Sequence, residues 1–310
     1  MNKKERYIEL CAHETLPLHA QAWWMEKSSI GKEWDAILIE NSDQRTEAAM
    51  PYHLVHKFGL RAILMPIHTQ YHYAYFSSCA TEDTFTHLVE AIEQECRTQH
   101  ISWYQTQGFY PEPMISAFQK HGFSISKRIT YRIATIPERS ELPKLFSQNK
   151  RRQLRKANGM QLTNLQADAF YAFHKECMSY RGKHIDYPEE WATAVLSEAV
   201  RRGEGVVIGA KNQEGILEAA MFLAWDNKWA YYLLPTYHPA HKDSGAMAWL
   251  TYEALCIARG KGLGFDFEGS MIPSIALSYK QFGGTPVTYY RIEKFYNPIM
   301  RALIKLRQWL

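Results

Sequence analysis

The sequence predicts an α/β protein made of two copies of one unit, and three observations carry the prediction. Short apolar runs of strand character alternate with segments of helical spacing. The order of these segments in the first half returns in the second. The halves also share literal fragments: FQKHGF and then TYRI in the first, YKQFGG and then YYRI in the second, each at a similar distance after its own helix and strand.

In the first half, DAILIE (35–40) and RAILMPI (61–67) are short, aliphatic and bounded by polar residues, which predicts strands. HLVEAIEQECRTQ (87–99) has amphipathic helical spacing. ISWYQ (101–105), an apolar helix PMISAFQKHGF (113–123) and the strand ITYRIATI (129–136) follow. The second half opens with strands GVVIGA (205–210), AAMFLAW (219–225) and WAYYLLP (229–235), then the helix AMAWLTYEALCIARG (246–260). GFDFEG, the helix IPSIALSYKQFGG (272–284) and the strand VTYYRIEKF (287–295) complete the repeat. The proline-bearing TIPERSELPK (135–144) reads as the linker, giving expected domains 1–136 and 145–310.

A chain of 310 residues with 46% hydrophobic content can bury a sizeable core, as one large domain or two ordinary ones. The net charge of +4 is mild, so attraction to nucleic acid or anionic membrane has to come from local clusters. Five scattered cysteines (Cys11, Cys79, Cys96, Cys177, Cys256) without a CxxC pair fit a reducing, cytoplasmic setting. No run approaches the roughly 20 apolar residues of a membrane helix, so a soluble protein is expected. The basic, apolar-striped tail NPIMRALIKLRQWL (297–310) reads as a terminal helix on its own core, with weak membrane-surface contact as the other reading.

Candidate chemistry gathers in the second half. In GLGFDFEGS (262–270), strand alternation puts Asp266 and Glu268 on one face and Phe265 and Phe267 on the other. This is either a site rim or a solvated strand end. The first copy has ISWYQTQG at that place, without a carboxylate, and Gln119 opposite Lys280, so these three charges belong to one copy alone. The run Gly260-Lys-Gly262-Leu-Gly264 follows a helix and precedes a strand, the reverse of a dinucleotide loop, and reads as a helix stop with a tight turn.

YHPAHKDSGAMAWL (237–250) has the strand-to-helix order that anion binding needs. Ser244, Gly245 and Ala246 at the helix start let backbone N–H groups approach an anion beside Lys242, while a plain N-cap by Asp243 or Ser244 is the alternative. KRRQLRK (150–156) carries five cations in seven residues, among them Lys150, Arg151, Arg152 and Arg155. It suits a phosphate-bearing partner or a solvated helix face. His68 with His72, and His53 with His56, have metal-like spacing but no acidic partner, so no metal is expected. No GxSxG elbow or P-loop is present in the sequence.

The doubled unit, with RRQLRKAN, GILEAAMFLAW, WAYYLLP, SGAMAWLTYEA, GFDFEGS and YKQFGG in this order, resembles the GNAT acyltransferase superfamily and, within it, the Fem-like branch. The resemblance is strongest between Lys150 and Ile292. It implies tandem GNAT-like domains, each a mixed, mostly antiparallel sheet flanked by helices, the first degenerate and on the acceptor side. It implies acyl transfer from acyl-CoA or aminoacyl-tRNA to the amine of a small molecule or cell-envelope precursor. The family's donor phosphate loop falls on Lys242, Ser244, Gly245 and Ala246, and its lysine near the reaction centre on Lys280. The loop lacks the usual glycines of CoA-binding members, and the long helical hairpin of some bridge-forming members is absent.

On this reading Asp266 or Glu268 is the base for the incoming amine, Lys280 steadies the oxyanion, and KRRQLRK holds donor phosphates. Tyr71, Arg181 and Tyr279 are candidate substrate contacts, Arg181 to either acceptor or donor. A non-catalytic binding module and a tRNA-binding protein are the competing classes.

Overall fold

The computed structural model describes residues 1–309 and the side chains of residues 1–306. Two compact units share the chain, one formed by Met1–Arg128 with the segment from Thr288 onward, the other by Ile129–Val287.

The first unit opens with α1 (Lys3–His13), started by a capping box in which Asn2 and Glu5 satisfy each other's backbone N–H groups. After α2 (Ala22–Ser28), β1 (Glu33–Glu40), β2 (Thr46–Lys57) and β3 (Leu60–Leu64) form an antiparallel meander, with the short β4 (Tyr75–Phe76) on β2. Next come α3 (Glu82–Thr98), β5 (Trp103–Gly108), which joins β3 in parallel, and α4 (Glu112–Lys120). Leu88, Val89 and Ile92 of α3 and Phe118 of α4 close on Ile37, Met50 and Ile63 of the sheet. Burial of each such side chain stabilises by about 1.5–3 kcal/mol before entropy is set against it.

β6 (Ser124–Ile133) leads into the second unit. There α5 (Leu142–Leu145), α6 (Gln148–Lys156), β7 (Gln161–Asn164), α7 (Ala167–Tyr180) and α8 (Glu189–Arg201) precede the antiparallel β8 (Gly205–Lys211), β9 (Leu217–Trp225) and β10 (Trp229–Tyr237). The chain continues through α9 (Ala246–Gly260), β11 (Gly264–Asp266) and α10 (Pro273–Gln281) to β12 (Thr285–Phe295) and α11 (Pro298–Trp309). Within this unit the strand order is β6-β11-β10-β9-β8-β7. β9 is buried along nearly its whole length, and α9 lays Leu250, Ala254, Leu255 and Ala258 on the core.

The copies have exchanged their last strands. TYRI of β6, from the first half of the sequence, pairs antiparallel with β11 (Ile133 opposite Phe265, Arg132 opposite Asp266). YYRI of β12, from the second half, pairs with β5 through Tyr290–Phe295. This corrects the expected domain limits. The units part inside β6 and β12, and the segment from Thr288 onward packs with the N-terminal unit. TIPERSELPK is no free linker, because Ile136 and Leu142 are buried in the core of the second unit. The tail reads as expected as a helix; Met300 is fully buried, Ile299 and Leu306 are exposed, and Leu310 lies outside the described residues.

Candidate functional site

In the second unit β10 and β11 pair in parallel over three residues, Trp229–Tyr231 against Gly264–Asp266. β11 then ends while β10 runs on, so the strands part. The register of β10 against β9 slips between Leu233 and Thr236, where Leu234 takes φ +49° and Pro235 contributes no N–H. The slip re-aims the end of β10 toward the loop before α9.

That loop is closed from within. Ser244 donates its hydroxyl to the His241 carbonyl (2.8 Å) and accepts the Ala246 N–H (3.2 Å). Gly245 caps α9 at φ +85°, and a Cβ there would stand 2.1 Å from the Gln153 carbonyl of α6, so only glycine fits. The first i→i−4 bond of α9 is Trp249 N–H to the Gly245 carbonyl (3.0 Å). The N–H groups of Met247 and Ala248 precede it and are those a helix start leaves for an outside acceptor. Both residues line a cleft of about 240 Å³ with Lys150 and Gln153 of α6, Tyr232 and Tyr237 of β10, His241, Lys242, and Ser278 and Phe282.

Lys150 is half-buried, its ammonium 4.4 Å from the centre of the Phe282 ring, and burial pushes its pKa down to about 8. His241 points Nδ1 at Oε1 of Glu218 (3.3 Å), a carboxylate only 4% exposed that also accepts from Asn212 Nδ2 (3.0 Å). The Glu218 carbonyl takes the His238 N–H (2.9 Å), so one residue of β9 anchors the loop through both main chain and side chain.

Lys242, Gly245, Ala246 and Lys150 thus line one cleft. Ser244 belongs to the loop's internal bonding and is not among the lining residues. Arg151, Arg152 and Arg155 are exposed on α6, outside the cleft lining. Arg181 does not line the cleft. It stands over the Tyr237 ring (4.6 Å) and donates to the Tyr237 carbonyl (2.6 Å), propping the end of β10.

The acids need a correction. Asp266 has no exposed surface and accepts from Thr130 Oγ1 (2.6 Å), Arg132 Nε (2.7 Å) and the Glu268 N–H (2.8 Å). An acceptor amine cannot reach it; it ties β6 to β11. Glu268 leaves the strand at φ +58° and is half-buried. Phe265 and Phe267 do go to the core, 4.9 Å apart, because alternation holds through Phe267. Phe267 stacks on Tyr279 (4.8 Å, 24°). Burial first, then the neighbouring Tyr232, Glu268 and Asp266, raise the Tyr279 phenol well above its ordinary range. Lys280 is exposed, 5.9 Å from the Tyr131 ring centre.

Tyr71 is a second correction. It is fully buried in the first unit, with the rings of His19, Tyr73, Phe109 and Tyr289 5.0–5.9 Å away, and is closed to an acceptor. Sequence reading missed His241 with Glu218. The signal was a lone acid in the apolar run GILEAAMFLAW, whose partner lies 23 residues on. Among the described residues no His, Cys, Asp or Glu group is arranged to hold a metal ion, and no helix is long and apolar enough to cross a membrane.

Residues 146–281 match the family model described as an acetyltransferase (GNAT) domain. No curated protein matches the chain. Among solved structures, FemX superposes with TM-score 0.72 at 13% identity, covering 98% of both chains. A tandem GNAT protein from the clavulanic acid biosynthesis pathway superposes at TM-score 0.55 and 12% identity, over 94% of this chain and 93% of that one. L-PGS from Bacillus licheniformis does so at 0.56 and 12%, over 94% and 91%. The chain therefore has a Fem-like tandem GNAT fold, and residues 146–281 are similar to the GNAT domain model.

Proposed function

We propose that the second unit moves an acyl group from a phosphate-bearing carrier, acyl-CoA or aminoacyl-tRNA, to the amine of a small molecule or cell-envelope precursor. The observation that carries this reading is the cleft at the start of α9. Two cationic side chains, Lys150 and Lys242, and the leading N–H groups of a helix converge there, beside the point where β10 and β11 part.

In the proposed chemistry the amine nitrogen attacks the acyl carbonyl carbon and loses a proton to Glu268, the half-buried carboxylate beside Tyr279. Tyr279, which holds its proton firmly, donates a hydrogen bond to the departing thiolate or ribose oxygen, which takes the proton from Glu268 as the carrier's bond to carbon breaks. Asp266, locked by Thr130 and Arg132, positions Glu268 through the 2.8 Å bond from the Glu268 N–H. Lys280 steadies charge at the exposed mouth, and the arginines of α6 receive phosphates beyond the cleft.

Calorimetry with acetyl-CoA and with charged tRNA, on the native chain and on Lys242→Ala, tests the reading. Saturable binding of one donor, weakened at least tenfold by the substitution, is the expected result. No binding of either donor would bring forward a non-catalytic role for the unit.

A further inference from the structure

The end of the segment after β11 and α10 itself present apolar side chains to solvent. Met271, Ile272 and Leu277 are 54%, 56% and 55% exposed, Ile275 is 37% exposed, and no residue of α10 is buried. A surface helix of a globular protein ordinarily turns such residues inward. Here the inward places go instead to Phe265, Phe267 and Phe282 around it.

The surroundings are one-sided in charge. No Asp or Glu occurs in residues 142–167, which carry six Lys and Arg, nor in residues 269–287, which carry Lys280. These two stretches meet in space. The Ser147 N–H donates to the Gln281 carbonyl (2.8 Å), Lys150 stands over the Phe282 ring, and the 42% exposed Leu145 lies against Gly283. The result is an apolar lip on α10 joined to the cationic face of α6, where Arg151 and Arg152 are exposed.

We propose that this face docks on an anionic phospholipid bilayer, with Met271, Ile272 and Leu277 entering the headgroup boundary and the α6 arginines lying over the headgroups. Apolar side chains combined with cations are what such a surface recognises. A second copy of the chain fits poorly, since a two-fold contact would set cationic helix near cationic helix. Four exposed side chains also fall short of the 20–30 residues per partner of a stable protein interface. Ser278, Phe282 and Lys150 belong to the same two helices and line the cleft, so docking would bring the cleft to the headgroup layer. The proposal does not depend on acyl transfer.

The test is vesicle flotation of the full chain with phosphatidylcholine alone and with phosphatidylcholine containing phosphatidylglycerol, at low and high salt, without any acyl donor. Binding is expected only with phosphatidylglycerol, and weaker at high salt as the headgroup field is screened. Ile272→Ser with Leu277→Ser should cut it roughly tenfold or more with the melting temperature unchanged, and Arg151→Ser with Arg152→Ser should cut it as well. No binding to the anionic vesicles, binding indifferent to the apolar pair, or sedimentation velocity showing a dimer that the apolar pair dissolves would overturn the proposal.

Discussion

Gly245 illustrates how much one residue can fix. Its φ of +85° and the 2.1 Å approach a Cβ would make to Gln153 leave no room for Gly245→Ala, which is expected to cost on the order of 2 kcal/mol and to loosen the start of α9. Chemical denaturation reads the first effect and donor calorimetry the second. The two acids should separate cleanly. Asp266→Asn leaves Arg132, 12% exposed at its side chain, without its charged partner and should destabilise by about 3 kcal/mol, seen as a lower denaturation midpoint. Glu268→Gln should leave the midpoint in place and lower kcat, on the order of a hundredfold if it is the base. The reverse pattern would return Asp266 to the chemistry. That Asp266 is the locked acid could not be read from sequence, since Thr130 and Arg132 stand more than 130 positions away from it.

At the scale of elements, α6, the loop before α9 and β9 meet around one cleft, where the proposed donor would bind. Burial disfavours the charge of Lys150 and pushes its pKa down to about 8. Below that pH it is charged and attracts an anionic donor. As pH rises through about 8 the charge is lost, and donor affinity should fall, by up to about tenfold per pH unit. Lys150→Met should remove this pH dependence along with part of the affinity, which calorimetry at pH 7 and pH 9 would show. The basic run was legible in the sequence as charge density. That Lys150 turns into a cleft while Arg151 and Arg152 do not is a matter of helix phase against α9.

For the whole molecule, the exchanged strands make each unit depend on chain from the other half. Fragments cut at the proline segment, 1–136 and 145–310, would leave β5 without β12 and β11 without β6. Neither is expected to give a cooperative thermal unfolding transition alone, because an unpaired strand edge and an open core result. A second prediction concerns acid. Burial holds His53 down to about 4, with Lys32 adding to it, and His72 down to about 3, with His53 and His19 adding to it. Both values are depressed relative to an unfolded histidine near 6.5. Stability is therefore full above about pH 6.5 and is lost as pH falls toward 4 and then 3, at a slope approaching about 1.4 kcal/mol per pH unit for each residue. Urea titrations at pH 7, 5.5 and 4.5 should show the loss, and His53→Gln should flatten the curve.

The sequence by itself determined the doubled α/β unit and the helix and strand order around the loop before α9. These rest on local periodicity, glycine placement and order along the chain, which a single strand of text preserves. GFDFEG likewise sent both phenylalanines to the core as alternation requires. Only the tertiary structure decided that TYRI and YYRI change places, that Asp266 is locked while Glu268 is half open, that Tyr71 is sealed among aromatic rings, and that Glu218 reaches His241. Each depends on a partner distant in sequence, and burial, pairing and charge compensation are set by the packed neighbour and not by the residue type.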